Sequence, residues 1–216
     1  MPEIPLSNIR TDYKKASLKI EDVTADPFSQ FNNWFEEVLH SKVEEPNAMT
    51  LATTTPDGHP SARIVLLKGL DEKGFYFYTN YESHKGRELS ENPYVALVFF
   101  WKELERQVRI EGIAERATKE QSDTYFHSRP KGSQIGAWSS PQSREIPDRA
   151  FLETRVETMK SRFEKESLRR PEFWGGFCVK PQYVEFWQGR ASRLHDRIFY
   201  KRQQEKETWQ IGRLAP

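Results

Sequence analysis

The residues best suited to chemistry lie near the C-terminus, in the segment Arg193-Leu194-His195-Asp196-Arg197. If this segment is a strand entered through a turn at Gly189, its period of two puts Arg193, His195 and Arg197 on one face. Guanidiniums offer planar sets of donors to phosphate, carboxylate or an electron-rich ring, and an imidazole can move a proton near neutral pH. The alternative is a solvated basic strand edge that only discourages aggregation.

Two further groups of cations come earlier in the chain. Arg63 and Lys68 stand at the two ends of an apolar run, and their odd separation sends them to opposite strand faces, which suits two different anions. The alternative is a pair of strand-end charges in water. Tyr78-Thr79 ends a strand and Ser83-His84-Lys85 starts a helix, so these residues can form an anion cradle from amide donors and a positive charge.

A third group follows the helix that starts at Thr118. Tyr125, Arg129 and Ser133 are spaced to converge across a loop bent by Pro130 and Gly132, whereas His127 and Lys131 are explained by the dipole at a helix C-terminus. Gln107 is a polar residue among apolar strand neighbours, with both a donor and an acceptor.

The surrounding pattern is mainly β. Asp26-Pro27 predicts the start of a helix with an aromatic stripe, and Thr118 with Gln121 predicts a capping box. Further helices are expected over 83–91 and after Asp148, and Ile135–Ser140 is expected to be a polar loop. Strands are predicted over 49–55, 61–68, 74–79, 94–101, 106–114, 177–187, 193–201 and 208–212. Many short strands with hairpin connections and a few helices favour an antiparallel barrel with helices around it.

Composition excludes several classes of protein. The 33 basic and 32 acidic residues nearly cancel, which argues against nucleic acid and a membrane surface as partners. Cys178 is the only cysteine, and the five histidines show no ligand-like pairing with carboxylates, so no metal site is expected. Neither a signal peptide nor a glycine-rich dinucleotide or P-loop motif is recognised. We expect a cytoplasmic protein with a flexible arm over 1–25 and a single domain over 26–216.

Trp187-Gln188-Gly189, Arg193-Leu194-His195-Asp196-Arg197 and the closing Arg213-Leu214-Ala215-Pro216 together resemble the pyridoxine/pyridoxamine 5′-phosphate oxidase family. The resemblance runs from about Arg10 to the C-terminus. It implies an FMN-binding split β-barrel, a homodimer with FMN at the subunit interface, and small-molecule substrates, pyridoxine 5′-phosphate and pyridoxamine 5′-phosphate, that are oxidised by O2.

The resemblance also implies roles for individual residues. Arg193 and His195 are expected to be catalytic, and His195 is interpreted as the base that takes the substrate proton. The residues implied for FMN are Arg63, Ile64, Val65, Leu66, Leu67, Lys68, Tyr78, Thr79, His84, Lys85, Gln107, Gln142, Ser143, Trp187 and Arg197. Gln142, Ser143, Trp187 and Arg197 are expected to reach it from the opposite subunit. The residues implied for substrate are Arg10, Tyr13, Lys68, Tyr125, Arg129, Ser133, Arg193, Leu194 and His195.

Two points stay open on the sequence. His84 stands where an arginine is common in the family, so its contact with the FMN phosphate is in doubt. A related flavin reductase that uses a nicotinamide donor would share the cofactor residues but lack the phosphate cluster of Lys68, Tyr125, Arg129 and Ser133. A non-catalytic binder of pyridoxal phosphate or of nucleic acid could use the same cations and aromatic rings.

Overall fold

The structure, a computed structural model, describes residues 12–203 and 208–216. Its helices are α1 Pro27–Leu39, α2 His84–Glu91, α3 Lys119–Ser128, α4 Lys131–Ser139 and α5 Arg149–Lys165. Its strands are β1 Ala48–Thr54, β2 Pro60–Leu66, β3 Gly69–Asp71, β4 Gly74–Asn80, β5 Tyr94–Trp101, β6 Arg106–Arg116, β7 Trp174–Gln188, β8 Asp196–Gln203 and β9 Thr208–Leu214. The strands hydrogen-bond in the order β2-β1-β5-β6-β7-β4-β3, with β8 on β7 and β9 on β8.

The chain divides into two compact units. The first consists of the residues up to Pro46, Leu97–Glu111 and Pro181–Pro216, and the second of Asn47–Ala96 and Gly112–Lys180. The expectation of a single domain over 26–216 stays a prediction.

In the second unit, antiparallel pairs position the site residues. β1 and β2 form the hairpin predicted at Pro56-Asp57-Gly58, with Ala48 opposite Leu66 and Thr54 opposite Pro60. β4 pairs with the first half of β7, from Phe75 opposite Val179 to Asn80 opposite Trp174. Phe77 and Phe177 are opposite each other in this register, and their stacked rings, 5.6 Å apart, are buried.

In the first unit, α1 packs its aromatic face on strand residues. The Asp26 carboxylate accepts from the Ser29 amide and Pro27 occupies the first turn, so the predicted helix start is confirmed. Phe31 and Trp34 are buried, with Trp34 edge-on to Phe186 at 5.2 Å. Leu39, predicted on the same stripe, is 58% exposed. The second half of β7 continues through β8 to β9 as an antiparallel meander.

Part of the predicted N-terminal arm, residues 12–25, lies among the described residues. Leu18 is buried; its amide donates to Asp196 and its carbonyl accepts from Arg213. The hydroxyl of Tyr200 donates to the carbonyl of Thr24. These contacts fasten the segment to its own unit.

Two predicted elements are wrong. Ile135–Ser140 was expected to be a polar loop, but α4 runs through Ser139 and buries Ile135 and Ser139. The strand predicted over 193–201 begins only at Asp196, because Ala191–Arg193 is a 3₁₀ turn in which Ser192 and Arg193 have φ of 56° and 61°. This left-handed turn ends the alternation that would have put Arg193, His195 and Arg197 on one face.

Candidate functional site

In the second unit, a cationic cluster forms around the Lys85 ammonium. Ser83 caps α2 by accepting from the Gly86 amide, which sets Lys85 in the first helical turn. Lys85 Nζ donates to Thr79 Oγ1 and to Gln142 Oε1, both at 3.2 Å. Burial, reinforced by the charge of Arg63, lowers the pKa of Lys85. A phosphate placed here would meet a positive charge whose present partners are neutral oxygens.

Gln142 joins this cluster from its own chain. Its amide oxygen also accepts from Thr79 Oγ1 at 3.1 Å. The resemblance implies that Gln142 and Ser143 reach FMN from the opposite subunit, and this stays a prediction; in the structure Gln142 contacts Thr79 and Lys85 of its own chain. Ser143 follows it with φ of 67° in an exposed turn.

Arg63 is held by a buried carboxylate that the sequence interpretation missed. Glu88, 3% exposed, accepts from Arg63 at 3.2 Å and from the hydroxyls of Thr53 and Ser61 at 2.6 and 2.7 Å. Burial alone would raise the pKa of Glu88, but these hydroxyls and the charges of His84 and Arg63 lower it. Because Arg63, Ser61 and Thr53 are 25, 27 and 35 positions from Glu88, no local pattern could have indicated these contacts.

His84 turns toward the same carboxylate. Its Nε2 lies 3.5 Å from Glu88 Oε1, and its side chain is more than half exposed. Of the apolar residues implied for FMN, Ile64 is 65% exposed and Leu67 is buried, whereas Val65 and Leu66 are half-buried. The alternation of β2 thus sends Ile64 outward and turns Arg63 toward Glu88.

A second cluster in this unit surrounds Arg129, the residue at the C-terminal cap of α3. The predicted capping box of Thr118 and Gln121 starts this helix. The ring of Tyr125 stacks on Tyr78 with centroids 3.9 Å apart, and the guanidinium of Arg129 lies 4.6 Å from the centroid of Trp174. Burial raises the pKa of both tyrosines and lowers that of Arg129. Gly176 permits this packing, because a Cβ there would lie 2.7 Å from the Tyr78 ring.

Arg129 carries an unsatisfied donor. Its Nη1 is buried and has no hydrogen-bond partner. Buried charged donors are normally paired, so this N–H is available to an anion. Lys68 and Ser133, expected beside it, are both exposed, and the structure gives neither side chain a hydrogen bond to Tyr125 or Arg129.

In the first unit, His195 is held by its neighbours in the turn before β8. The backbone amide of Arg190 donates to His195 Nδ1 at 3.1 Å, and the imidazole packs on Trp187 with centroids 4.5 Å apart. Burial, and then the charge of Arg193, lowers the pKa of His195. An Nδ1 that accepts a hydrogen bond leaves the proton of neutral imidazole on Nε2, so this ring presents a donor.

Tyr13 lies over the same turn. Its ring is 5.8 Å from Trp187 and 6.0 Å from His195, and it packs on Gly189, where a Cβ would lie 2.7 Å from the Tyr13 ring. Arg193 and Leu194 are exposed, and Arg10 lies outside the described residues. The structure therefore brings Tyr13 and His195, which are expected to bind substrate, next to Trp187, which is expected to bind FMN; these roles stay predictions.

Arg197 is paired within its own chain. It donates through Nε and Nη2 to the two carboxylate oxygens of Glu185, at 2.7 and 3.0 Å, and Arg109 donates to the same group at 2.8 Å. Glu185 is 2% exposed, and a single acidic residue in the apolar run Tyr183–Trp187 is the signal that could have indicated a buried ion pair. Gln107 is half-buried on β6, two residues before Arg109.

Asp196 anchors the turn from the other side. Its carboxylate accepts from Arg190, Arg213 and the amide of Leu18, at 3.2, 2.7 and 3.0 Å. Burial would raise the pKa of Asp196, but these donors lower it.

No helix in the described part of the chain has the length and apolar character needed to cross a membrane. Within the same residues, no group of three or more His, Cys, Asp or Glu is arranged to hold a metal ion.

Comparison with solved structures identifies the fold class of this chain. A crystal structure of a pyridoxamine 5′-phosphate oxidase-related, FMN-binding protein from Nostoc punctiforme superposes with a TM-score of 0.69 over 90% of this chain and all of its own, at 15% identity. The structure of PhzG from Burkholderia lata in complex with tetrahydrophenazine-1-carboxylic acid gives a TM-score of 0.86 over 94% of this chain and all of its own, at 28% identity. The fold is therefore the split β-barrel predicted from the sequence.

The family follows from sequence matches. Residues 35–163 match the model described as pyridoxamine 5′-phosphate oxidase, and residues 174–216 match the pyridoxine 5′-phosphate oxidase C-terminal dimerisation region. The pyridoxine/pyridoxamine 5′-phosphate oxidases of Salinibacter ruber and Burkholderia thailandensis are 56% and 57% identical over 98% of this chain and 99% of their own length. This chain belongs to the pyridoxine/pyridoxamine 5′-phosphate oxidase family and is an oxidoreductase.

Proposed function

We propose that this chain is an FMN-dependent oxidase that converts pyridoxine 5′-phosphate and pyridoxamine 5′-phosphate to pyridoxal 5′-phosphate. O2 is the electron acceptor, H2O2 is the product, and the amine substrate also releases ammonia. FMN, when bound, supplies the acceptor for a hydride from the C4′ carbon of the substrate and passes the electrons to O2. We further propose a role in pyridoxal phosphate synthesis or salvage and a cytoplasmic location, where the single cysteine Cys178 stays reduced.

The donor set of the second unit fits the FMN phosphate. Lys85, Thr79 and Gln142 form one hydrogen-bonded group. Arg63 is near enough for its charge to contribute to the lowered pKa of Lys85. Two cations so close together, one of them paired only with neutral oxygens, are stabilised by a bound dianion. We assign these four side chains to the cofactor phosphate, with Tyr78, Gln107, Ser143, Trp187 and Arg197 as the further FMN residues.

The observation that carries the substrate assignment is the unpartnered Nη1 of Arg129. A buried guanidinium donor beside the Tyr125 phenol suits the phosphate that distinguishes the two substrates from the free vitamins. We assign Arg129 and Tyr125 to this phosphate, with Lys68 and Ser133 as exposed residues that complete the site.

At the reacting carbon, we assign His195 the role of a hydrogen-bond donor, which replaces its interpretation as a base. The amide of Arg190 occupies Nδ1, so proton uptake there would break that bond. Neutral imidazole can instead donate from Nε2 to the reacting oxygen or nitrogen, and Arg193 can hold the substrate ring by its always-charged guanidinium. The departing proton then passes to water.

The match of residues 174–216 to a dimerisation region supports a homodimer. We propose that the FMN sites lie at its interface and that Trp187 and Arg197 contribute from the partner. An active monomer in sedimentation at assay concentration would contradict this.

The function is tested by anaerobic stopped-flow mixing of the FMN-loaded protein with pyridoxine 5′-phosphate, pyridoxine or NADPH. We expect only the phosphorylated substrate to bleach the flavin rapidly; rapid bleaching by NADPH would favour a flavin reductase. Arg129→Ala should raise KM for pyridoxine 5′-phosphate by about tenfold to a hundredfold, as expected for loss of a charge-assisted contact.

The matched control is Arg162→Ala, which also removes a guanidinium lying over an indole, that of Trp138 at 5.3 Å. The KM of this Arg162→Ala variant for pyridoxine 5′-phosphate should be unchanged. Equal turnover of pyridoxine and its phosphate by the native enzyme would refute the phosphate site.

A further inference from the structure

The indole of Trp174 lies at the centre of the Arg129 cluster. It is 6% exposed and begins β7. Its plane is within 7° of the Tyr125 ring at 6.2 Å and within 15° of the Tyr78 ring at 5.8 Å. The guanidinium of Arg129 lies over it at 4.6 Å. Trp174 thus contacts both side chains assigned above to the substrate phosphate.

The contact of the Trp174 indole with Arg129 compensates for the burial of part of the guanidinium. Arg129 is half-buried, but its Nη1 is removed from water and has no hydrogen-bond partner, so the guanidinium needs a compensating interaction. Indole is the aromatic group that attracts a cation most strongly, and the attraction grows when the cation is desolvated. An aromatic face holds the guanidinium without consuming its N–H donors, whereas a carboxylate would pair with them and exclude an anion.

The helix that carries Tyr125 has other attachments, to the start of β7 and to the segment that precedes it. The amide of Gly176 donates to Ser122 Oγ at 3.1 Å, and Arg170 Nε donates to Asp123 at 2.6 Å. These bonds hold the α3 backbone independently of the indole. What the indole adds is the orientation of two side chains, Tyr125 and Arg129.

We propose that Trp174 is a positioning residue for the substrate phosphate: its ring holds Arg129, with donors free, and Tyr125 in the geometry that receives the anion. This inference rests on the proposed function. It concerns binding of the phosphate and predicts no effect on the reaction of bound substrate.

The test compares Trp174→Leu and Trp174→Phe with the native FMN-loaded enzyme. Loss of the cation–π contact should raise KM for pyridoxine 5′-phosphate about tenfold in the Leu variant and about threefold in the Phe variant, with kcat within about twofold of native. The Kd of pyridoxal 5′-phosphate, read from the flavin absorbance of the loaded enzyme, should rise by the same factors. Arg162→Ala, which removes the cation from another pair of an arginine and an indole, should leave KM unchanged.

A double-variant cycle with Arg129→Ala shows whether Trp174 acts through Arg129. KM of the double variant should be close to that of Arg129→Ala alone. The inference would be overturned if the rise in KM of the double variant equals the product of the two single rises. It would also be overturned if KM of Trp174→Leu is within twofold of native. A merely structural role would lower Tm and the active fraction and leave KM unchanged.

The Arg129 and Trp174 variants distinguish failure of the inference from failure of the proposed function. If Arg129→Ala raises KM but Trp174→Leu does not, only the inference is overturned. If Arg129→Ala leaves KM unchanged, the phosphate site of the proposed function fails and the inference fails with it. If Trp174→Leu does not fold, the Phe variant decides: a threefold rise in KM supports the inference and an unchanged KM overturns it.

Discussion

The Lys85 ammonium carries a charge that the protein without flavin stabilises poorly. Its Nζ is bonded to neutral oxygens of Thr79 and Gln142, and burial together with Arg63 lowers its pKa. A bound phosphate would raise the pKa of Lys85 again, because an anion favours the charged ammonium. Removing the charge should therefore destabilise the flavin-loaded protein and leave the flavin-free protein no less stable.

For Lys85→Met we expect the Kd of FMN to rise about tenfold to a hundredfold, since a charge-assisted hydrogen bond contributes about 1.5–3 kcal/mol. The flavin-free protein should lose no stability. Because the folded-state pKa of Lys85 lies below its unfolded value, the unfolded chain binds more protons between the two, and stability of the native flavin-free protein rises with pH there. The Met variant should lack this rise.

FMN titration followed by quenching of flavin fluorescence gives the Kd, and thermal unfolding with and without FMN gives the two stabilities. Lys73→Met, at an exposed lysine of the β3–β4 turn, is the matched control and should leave both unchanged. The reasoning is refuted if the Kd changes less than twofold, or if the flavin-free protein loses as much Tm as the loaded one.

Three further predictions concern the first unit. Glu185→Ala should cost about 2–3 kcal/mol in urea unfolding, less than for a fully buried ion pair because the side chain of Arg197 is 27% exposed; an unchanged midpoint would contradict this. An NMR titration should find the pKa of His195 below 6.5, with its signal identified by its loss in His195→Asn; a value above 6.5 would be inconsistent with the Arg190 hydrogen bond. Because folding lowers the pKa of Asp196, its stabilisation is present above the unfolded value of 3.8 and is lost as pH falls through the lower folded value. The difference in unfolding free energy between native protein and Asp196→Asn should thus shrink from pH 7 to pH 3, and a constant difference would contradict it.

Elements with local signals were predictable from the sequence. Asp26-Pro27 and Thr118 with Gln121 carry their own capping hydrogen bonds, so the starts of α1 and α3 follow from neighbouring residues. The β1–β2 hairpin follows from β-rich runs on both sides of Pro56-Asp57-Gly58.

Elements that depend on distant packing were not predictable from the sequence. α4 contains Gly132 and Gly136, which disfavour a helix, yet it forms because Ile135 is buried and Trp138 packs on Phe163 of α5 at 5.4 Å. The turn before β8 was missed because two non-glycine residues, Ser192 and Arg193, adopt positive φ, which residue alternation does not reveal.

The site residues show the same difference between local signals and distant contacts. The residue types that bind anions were identified from the resemblance, but the groups that orient them were not, since these come from distant parts of the chain. Glu88 holds Arg63 across 25 residues, and Glu185 holds Arg109 across 76. The residue type identifies the cation, whereas which carboxylate or ring lies beside it follows only from the fold.

These partners give the two proposed phosphate sites different physical characters. Arg63 is already paired with the Glu88 carboxylate and with hydroxyls, so its guanidinium is ordered before any cofactor arrives, at the expense of part of its positive field. Arg129 lies against the indole of Trp174 and keeps a buried donor free. An anion that meets Arg63 must share the guanidinium with Glu88, whereas one that meets Arg129 gains a donor that nothing else uses. Neutralising Glu88 should therefore alter cofactor binding through the orientation of Arg63, while the substrate site has no carboxylate to neutralise and depends on the Trp174 ring instead.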